Sequence, residues 1–126
     1  QLSLHPDKFA LVVLHHNVHP VGCQWLDQHR LRNPQEFSAI LAKHPQAKHV
    51  LFGHVHQQLD KIYDGVTYMA SPSTCFQFKP HCEEFTLDEQ APGWRYLQLH
   101  PDGEVTTQVW RLSNNDFNPD LKSTGY

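Results

Sequence analysis

Two short apolar runs organise the chain: Ala10-Leu11-Val12-Val13-Leu14 and Val50-Leu51-Phe52. Neither alternates with polar residues, which is the pattern of strands covered on both faces in a parallel sheet. Between them lies a helix start. Asn33 sits at the N-cap, Pro34 at the first helical position, and Glu36 completes a capping-box pattern. Phe37, Ile40 and Leu41 fall at i, i+3 and i+4 on one apolar stripe, and Pro45 closes it. A strand over about Phe9 to Leu14, a crossover helix and a strand over Val50 to Phe52 make a βαβ unit. A shorter helical turn within Gln24 to Arg32 carries Trp25 and Leu26, with its charged residues on a solvated face.

After His56 the texture changes. Leu59 to Tyr63 and Val66 to Ala70 flank Asp64-Gly65, a hairpin signal of the primed-turn type. Ser71-Pro72-Ser73-Thr74 breaks the pattern, Cys75 to Pro80 is a short aromatic segment, and Glu83 to Leu87 reads as a further strand. After a loop over Asp88 to Gly93, Trp94 to His100 and Glu104 to Leu112 form a second hairpin about Pro101-Asp102-Gly103. The class is α/β, with α+β character in the C-terminal part: a βαβ unit followed by antiparallel hairpins. Residues 1–112 form the folded portion, and 113–126 a polar, poorly packed tail. A strand of the fully covered type within the first ten residues, and no initiator Met, predict a fragment of a longer protein.

Composition narrows the class. The 126 residues are 39% apolar and 18% charged, with a net charge of −3, which is a soluble globular composition. No basic stripe exists for nucleic acid, and no apolar run has the length of a membrane span. The odd count of three cysteines (Cys23, Cys75 and Cys82), without a C-x-x-C spacing, reads as reduced thiols of a cytoplasmic protein. Cys75, His81 and Cys82 do not have zinc-ligand spacing.

Candidate chemistry lies where the two apolar runs end. The first discharges into His15-His16, the second into Gly53-His54-Val55-His56. Residues two apart on an extended backbone point to one side, so His54 and His56 can serve one metal ion or two adjacent ones. Ions in two-metal sites lie roughly 3.5–4 Å apart. Ligands of open α/β sheets sit at the carboxyl ends of strands. With 11 histidines in the chain, one pair arises readily by chance. Two pairs, each behind an apolar run and one behind a glycine, favour a site.

Gly53-His54-Val55-His56, with His15-His16 upstream, resembles the calcineurin-like metallophosphoesterase superfamily. The stretches Gly22 to His29, Pro72 to Pro80 and Ala91 to Arg95 narrow the resemblance to the bacterial class III 3′,5′-cyclic-AMP phosphodiesterases, from about Phe9 to the C-terminus. The resemblance implies part of a β-sandwich flanked by helices, with two divalent metal ions at strand ends. The ions would be iron or manganese, with zinc as an alternative. It implies hydrolysis of a small cyclic nucleotide, 3′,5′-cyclic AMP, to 5′-AMP. It makes His54 and His15 ligands of one ion and His56 a ligand of the other, with His54 also meeting substrate.

Asn17-Val18-His19 intervenes before Pro20, a departure from the family spacing, so either His15 or His16 is the ligand. His15, the first polar residue off the strand, is preferred. His16 is then the catalytic neighbour that orients substrate. Phe76 and Phe78 are candidates to stack on adenine and Lys79 to meet phosphate, with core and surface roles as the equal alternative. The family's Asp-x-His, bridging Asp and Gly-Asn-His motifs have no counterpart ahead of His15. The chain alone is therefore expected to be the inactive C-terminal half of such an enzyme, with exposed sheet edges open to self-association. Three other readings compete: a mononuclear zinc hydrolase using His15, His54 and His56, an enzyme for another phosphodiester, and a non-catalytic binding module.

Overall fold

The computed structural model describes residues 1–113, 117 and 119–124; the rest of the expected polar tail lies outside the described residues. A 3-10 turn (Leu2–Leu4) precedes strand β1 (Leu11–Leu14). Helices α1 (Gln24–Asp27) and α2 (Pro34–Leu41) lead to β2 (His49–Phe52). Strands β3 (Leu59–Tyr63) and β4 (Val66–Ala70) form a hairpin, and β5 (Gln77–Phe78) pairs with β6 (Leu87–Asp88). The long ribbon of β7 (Gly93–Leu99) and β8 (Val105–Arg111) follows.

The main sheet has the order β1-β2-β4-β3. β1 pairs parallel with β2 and β2 with β4, so the β1–α2–β2 unit is the expected βαβ crossover. β3 returns antiparallel through a turn in which Asp64 and Gly65 both have positive φ, as a primed turn requires. Val50, Phe52, Tyr68 and Ala70 share one face and join Leu26, Leu41 and Val18 in the core.

The covering of β1 differs from the expectation. It is an edge strand among the described residues, and Val13 is 66% exposed on the face away from the core. In α2, Leu41 is buried but Ile40 is 54% exposed, so the apolar stripe is narrower than its spacing implied. Asn33 does flank the helix, but its side chain caps no backbone N–H. Its Nδ2 instead donates to Glu36 Oε2 at 3.0 Å.

Arg95 ties the second ribbon to the main sheet. Its side chain is 2% exposed and pairs with Asp60 at 2.9 Å. The guanidinium donates to the Ala70 carbonyl at 2.9 and 3.0 Å, and to the Leu59 carbonyl at 3.4 Å. Leu59 and Ala70 are register partners, and Ala70 is also level with Phe52. The ribbon therefore holds the row from which the histidine loops leave the sheet.

Candidate metal centre

Parallel pairing brings the two histidine pairs together. Leu14 is level with Phe52, so the ends of β1 and β2 lie side by side. The Gly53 N–H donates to the His15 carbonyl at 3.1 Å, one step beyond the last ladder row. His15, His16 and His54 each offer a ring nitrogen, and these atoms lie within 4.8 Å of one another. Their ring centroids are 4.9 Å apart for His15–His16, 5.2 Å for His15–His54 and 4.4 Å for His16–His54. His15 and His16 are exposed, while His54 is half-buried.

The loop after β2 is not extended. His54 and His56 both have positive φ, 51° and 49°, whereas Gly53 does not. The Val55 N–H bonds back to the Gly53 carbonyl, closing a γ-turn about His54. A non-glycine residue in this region is strained by about 1–3 kcal/mol. The buried Val55 anchors the turn from inside. The extended backbone inferred from the i, i+2 spacing is thus replaced by a turn. His54 joins His15 and His16, and His56 falls outside that close group.

His56 is held from behind. Its Nδ1 lies 3.0 Å from the Phe76 carbonyl, which makes that nitrogen the donor and leaves Nε2 free to accept. Its ring stacks on Phe78, with centroids 4.4 Å apart and planes 7° from parallel. A histidine whose second nitrogen is fixed by a carbonyl is the usual arrangement around a metal.

Phe78 is not placed to meet a base. It is 1% exposed, with Trp25, Phe85 and Phe76 around it and His56 over its face. The aromatic spacing read as a stacking platform is a core contact that supports the His56 ring. Phe76 is half-buried beside His56, with centroids 5.3 Å apart, and Lys79 is exposed.

The His54 pKa is lowered to about 4, chiefly by burial and then by His16, His15, His29 and His56. Burial also lowers that of His56. The hydrogen bond to Phe76 opposes this, and His15 adds to it. The His54 ring is therefore neutral at pH 7, the form a metal needs. Its Nε2 is buried without a hydrogen-bond partner.

Two further residues belong to the site's surroundings. The His29 ring lies 6.1 Å from that of His54. Asp27, read from sequence as part of a solvated face, is a loop staple. It accepts from the backbone N–H of Val21 at 2.8 Å and of Gly22 at 3.1 Å, and from Asn17 Nδ2 at 3.2 Å. The only sequence signal was the short spacing Asp27-Gln28-His29 after a polar loop, which alone does not distinguish a staple from a surface charge.

Imidazoles gathered at the carboxyl ends of parallel strands define a mixed α/β protein with a candidate metal centre. No protein-family model matches the chain. It is similar to the 3′,5′-cyclic adenosine monophosphate phosphodiesterase CpdA of Escherichia coli (strain K12), with 54% identity over 121 residues, 96% of this chain and 44% of that protein. The Haemophilus influenzae protein of the same name is 44% identical over 125 residues, covering 99% of this chain and 46% of its own length. A 3′,5′-cyclic-nucleotide phosphodiesterase of Nostoc sp. is 39% identical over 112 residues, 89% of this chain and 42% of that one. The chain is thus similar to part of these proteins, and it spans less than half the length of the curated relatives it matches. Among solved structures, a Vps29 single mutant from Entamoeba histolytica aligns with a TM-score of 0.28 and 19% identity, over 63% of this chain and 47% of that one. That likeness is too slight to carry a fold assignment.

Proposed function

We propose that the intact protein hydrolyses 3′,5′-cyclic AMP to 5′-AMP with the help of two divalent metal ions. The observation that carries this reading is the convergence of His15, His16 and His54 at adjoining strand ends, in a chain similar to enzymes named for that substrate. The donor set fits a metal: clustered imidazoles, and a buried His54 nitrogen lacking any partner. Imidazole suits iron, manganese and zinc alike, and iron or manganese is our choice for the pair.

In this reading His15 and His54 hold one ion, and His56 turns its free nitrogen to the other. A bound divalent ion supplies Lewis-acid polarisation of the phosphoryl oxygens and acidifies water. His16, exposed at the mouth, orients the phosphodiester and holds a proton near the leaving 3′-oxygen. Phe76 borders the adenine, and Lys79 faces the phosphate from solvent. The free thiols of Cys23, Cys75 and Cys82 support action in the cytoplasm. Among the described residues, no helix is long and apolar enough to cross a membrane.

A second reading has its own support. The close group contains His16 rather than His56, which fits a single zinc ion held by His15, His16 and His54. Metal content and cyclic-AMP turnover of the full-length gene product decide between the two. Two ions per chain with turnover support the first reading. One ion per chain supports the second.

A further inference from the structure

We propose that the cavity beside the histidine cluster, lined by His16, Gln28, His29, Arg30, Leu31 and Arg32, is an anion subsite that receives the phosphate-bearing end of a nucleotide. This rests on the phosphodiesterase reading and adds to it a means of recognising substrate charge. The cavity holds about 360 Å³ and contains two guanidinium groups and two imidazoles but no carboxylate. Among the described residues, neither Arg30 nor Arg32 has a carboxylate within ion-pair distance. This local sign opposes the net charge of −3 on the whole chain. A cleft lined by one sign of charge concentrates ligands of the opposite sign. A planar guanidinium also matches phosphate oxygens.

The cavity is continuous with the cluster. His16 belongs to both, its ring 4.4 Å from that of His54, and the His29 ring lies 6.1 Å from that of His54. The wall is fixed to the same segment as the histidines. The Leu31 N–H donates to the carbonyl of Asn17, the residue after His16, at 2.9 Å. Asn17 is fully buried and its side chain donates to Asp27, the residue that precedes the first wall residue, Gln28. The His29 N–H returns to the Leu26 carbonyl at 2.9 Å. Arg30 and Arg32 are therefore carried by a stapled loop. The cavity that His56 lines differs: it includes Asp60 and Asp88 against one guanidinium, Arg111.

The test compares affinity for 3′,5′-cyclic AMP (as KM where it is turned over, as Kd where it is not) with equilibrium binding of inorganic phosphate and uncharged adenosine, on the metal-loaded full-length gene product, wild type and R30Q/R32Q. The double variant should bind cyclic AMP and phosphate about tenfold more weakly, a loss of roughly 1.4 kcal/mol, while adenosine binding stays within about twofold. Salt should weaken cyclic-AMP binding to the wild type more than to the variant. Unchanged cyclic-AMP affinity in the variant, or an equal loss for adenosine, overturns the subsite. Wild-type protein that binds cyclic AMP in this charge-dependent way without hydrolysing it sinks the functional reading and leaves the subsite standing.

Discussion

The two strand ends that supply the histidines are built on opposite plans. After β1 neither His15 nor His16 has a positive φ, and both reach the shared cluster from an exposed position. After β2 it turns twice through the left-handed region, sends His54 inward, and fixes His56 against Phe76 and Phe78. One end offers accessible imidazoles on relaxed backbone. The other offers half-buried imidazoles on strained backbone with supports behind them. The difference is one of accessibility and support: the first pair is open to solvent, and the second is packed from behind.

The sharpest way to break this comparison is His54→Ala. Loss of an outer support of a metal ligand typically costs 10–100-fold, and loss of the ligand itself should exceed that. Cyclic-AMP turnover of the full-length gene product should fall by more than about a hundredfold, with bound metal reduced in elemental analysis. Activity and metal content both unchanged would remove His54 from the site. Next in size is Phe78→Leu, which takes away the plane beneath His56. A large-to-small core change of this kind should cost about 1–3 kcal/mol in urea unfolding and loosen metal binding, while His16→Phe should leave folding stability nearly intact.

The strained turn gives a smaller test that cancels the loss of the ring. His54→Gly should be more stable than His54→Ala by about 1 kcal/mol, because glycine accepts φ near 51° without penalty. At His15 the order should reverse, Ala above Gly, because no positive φ exists there. Thermal unfolding of the four variants reads both differences, and the same order at both positions would erase the contrast.

Acidity probes the burial of His54 and the histidines crowded around it. His54 has a folded pKa of about 4, below its ordinary value of 6.5. Between those values the unfolded chain binds the extra proton and the folded one does not. Metal-free protein should therefore lose stability as pH falls through 6.5 toward 4, and the slope should flatten in His54→Asn. The smallest effect belongs to the open side of β1. Val13→Lys should change stability by less than about 0.5 kcal/mol, and should reduce any self-association through that edge in sedimentation.

Much of the frame was legible because its signals are local. Continuous apolar runs marked β1 and β2, and Asp64-Gly65 marked the β3–β4 turn through its backbone preference. Pro34 marked the start of α2. The convergence of the histidines followed from one further step, that parallel strands end on the same side. What could not be read depended on contacts distant in sequence. His54 and His56 look like alternating strand residues until the turn is seen, because left-handed histidines carry no sequence mark. Phe76 and Phe78 share a spacing but not a role, since Trp25 and Phe85 close over only one of them. Asp27 looks like any helical carboxylate until the loop from Asn17 to Gly22 folds over it.

Arg95 connects the chemistry to a part of the chain that carries none of it. A protein ending before Gly93 would keep every histidine discussed above, yet the carbonyls of Ala70 and Leu59 would lose their common cation. The shelf from which the histidine-bearing loops project would then lack its outside brace. Shortening the chain at its far end is thus a way to blur the cluster without touching any histidine in it.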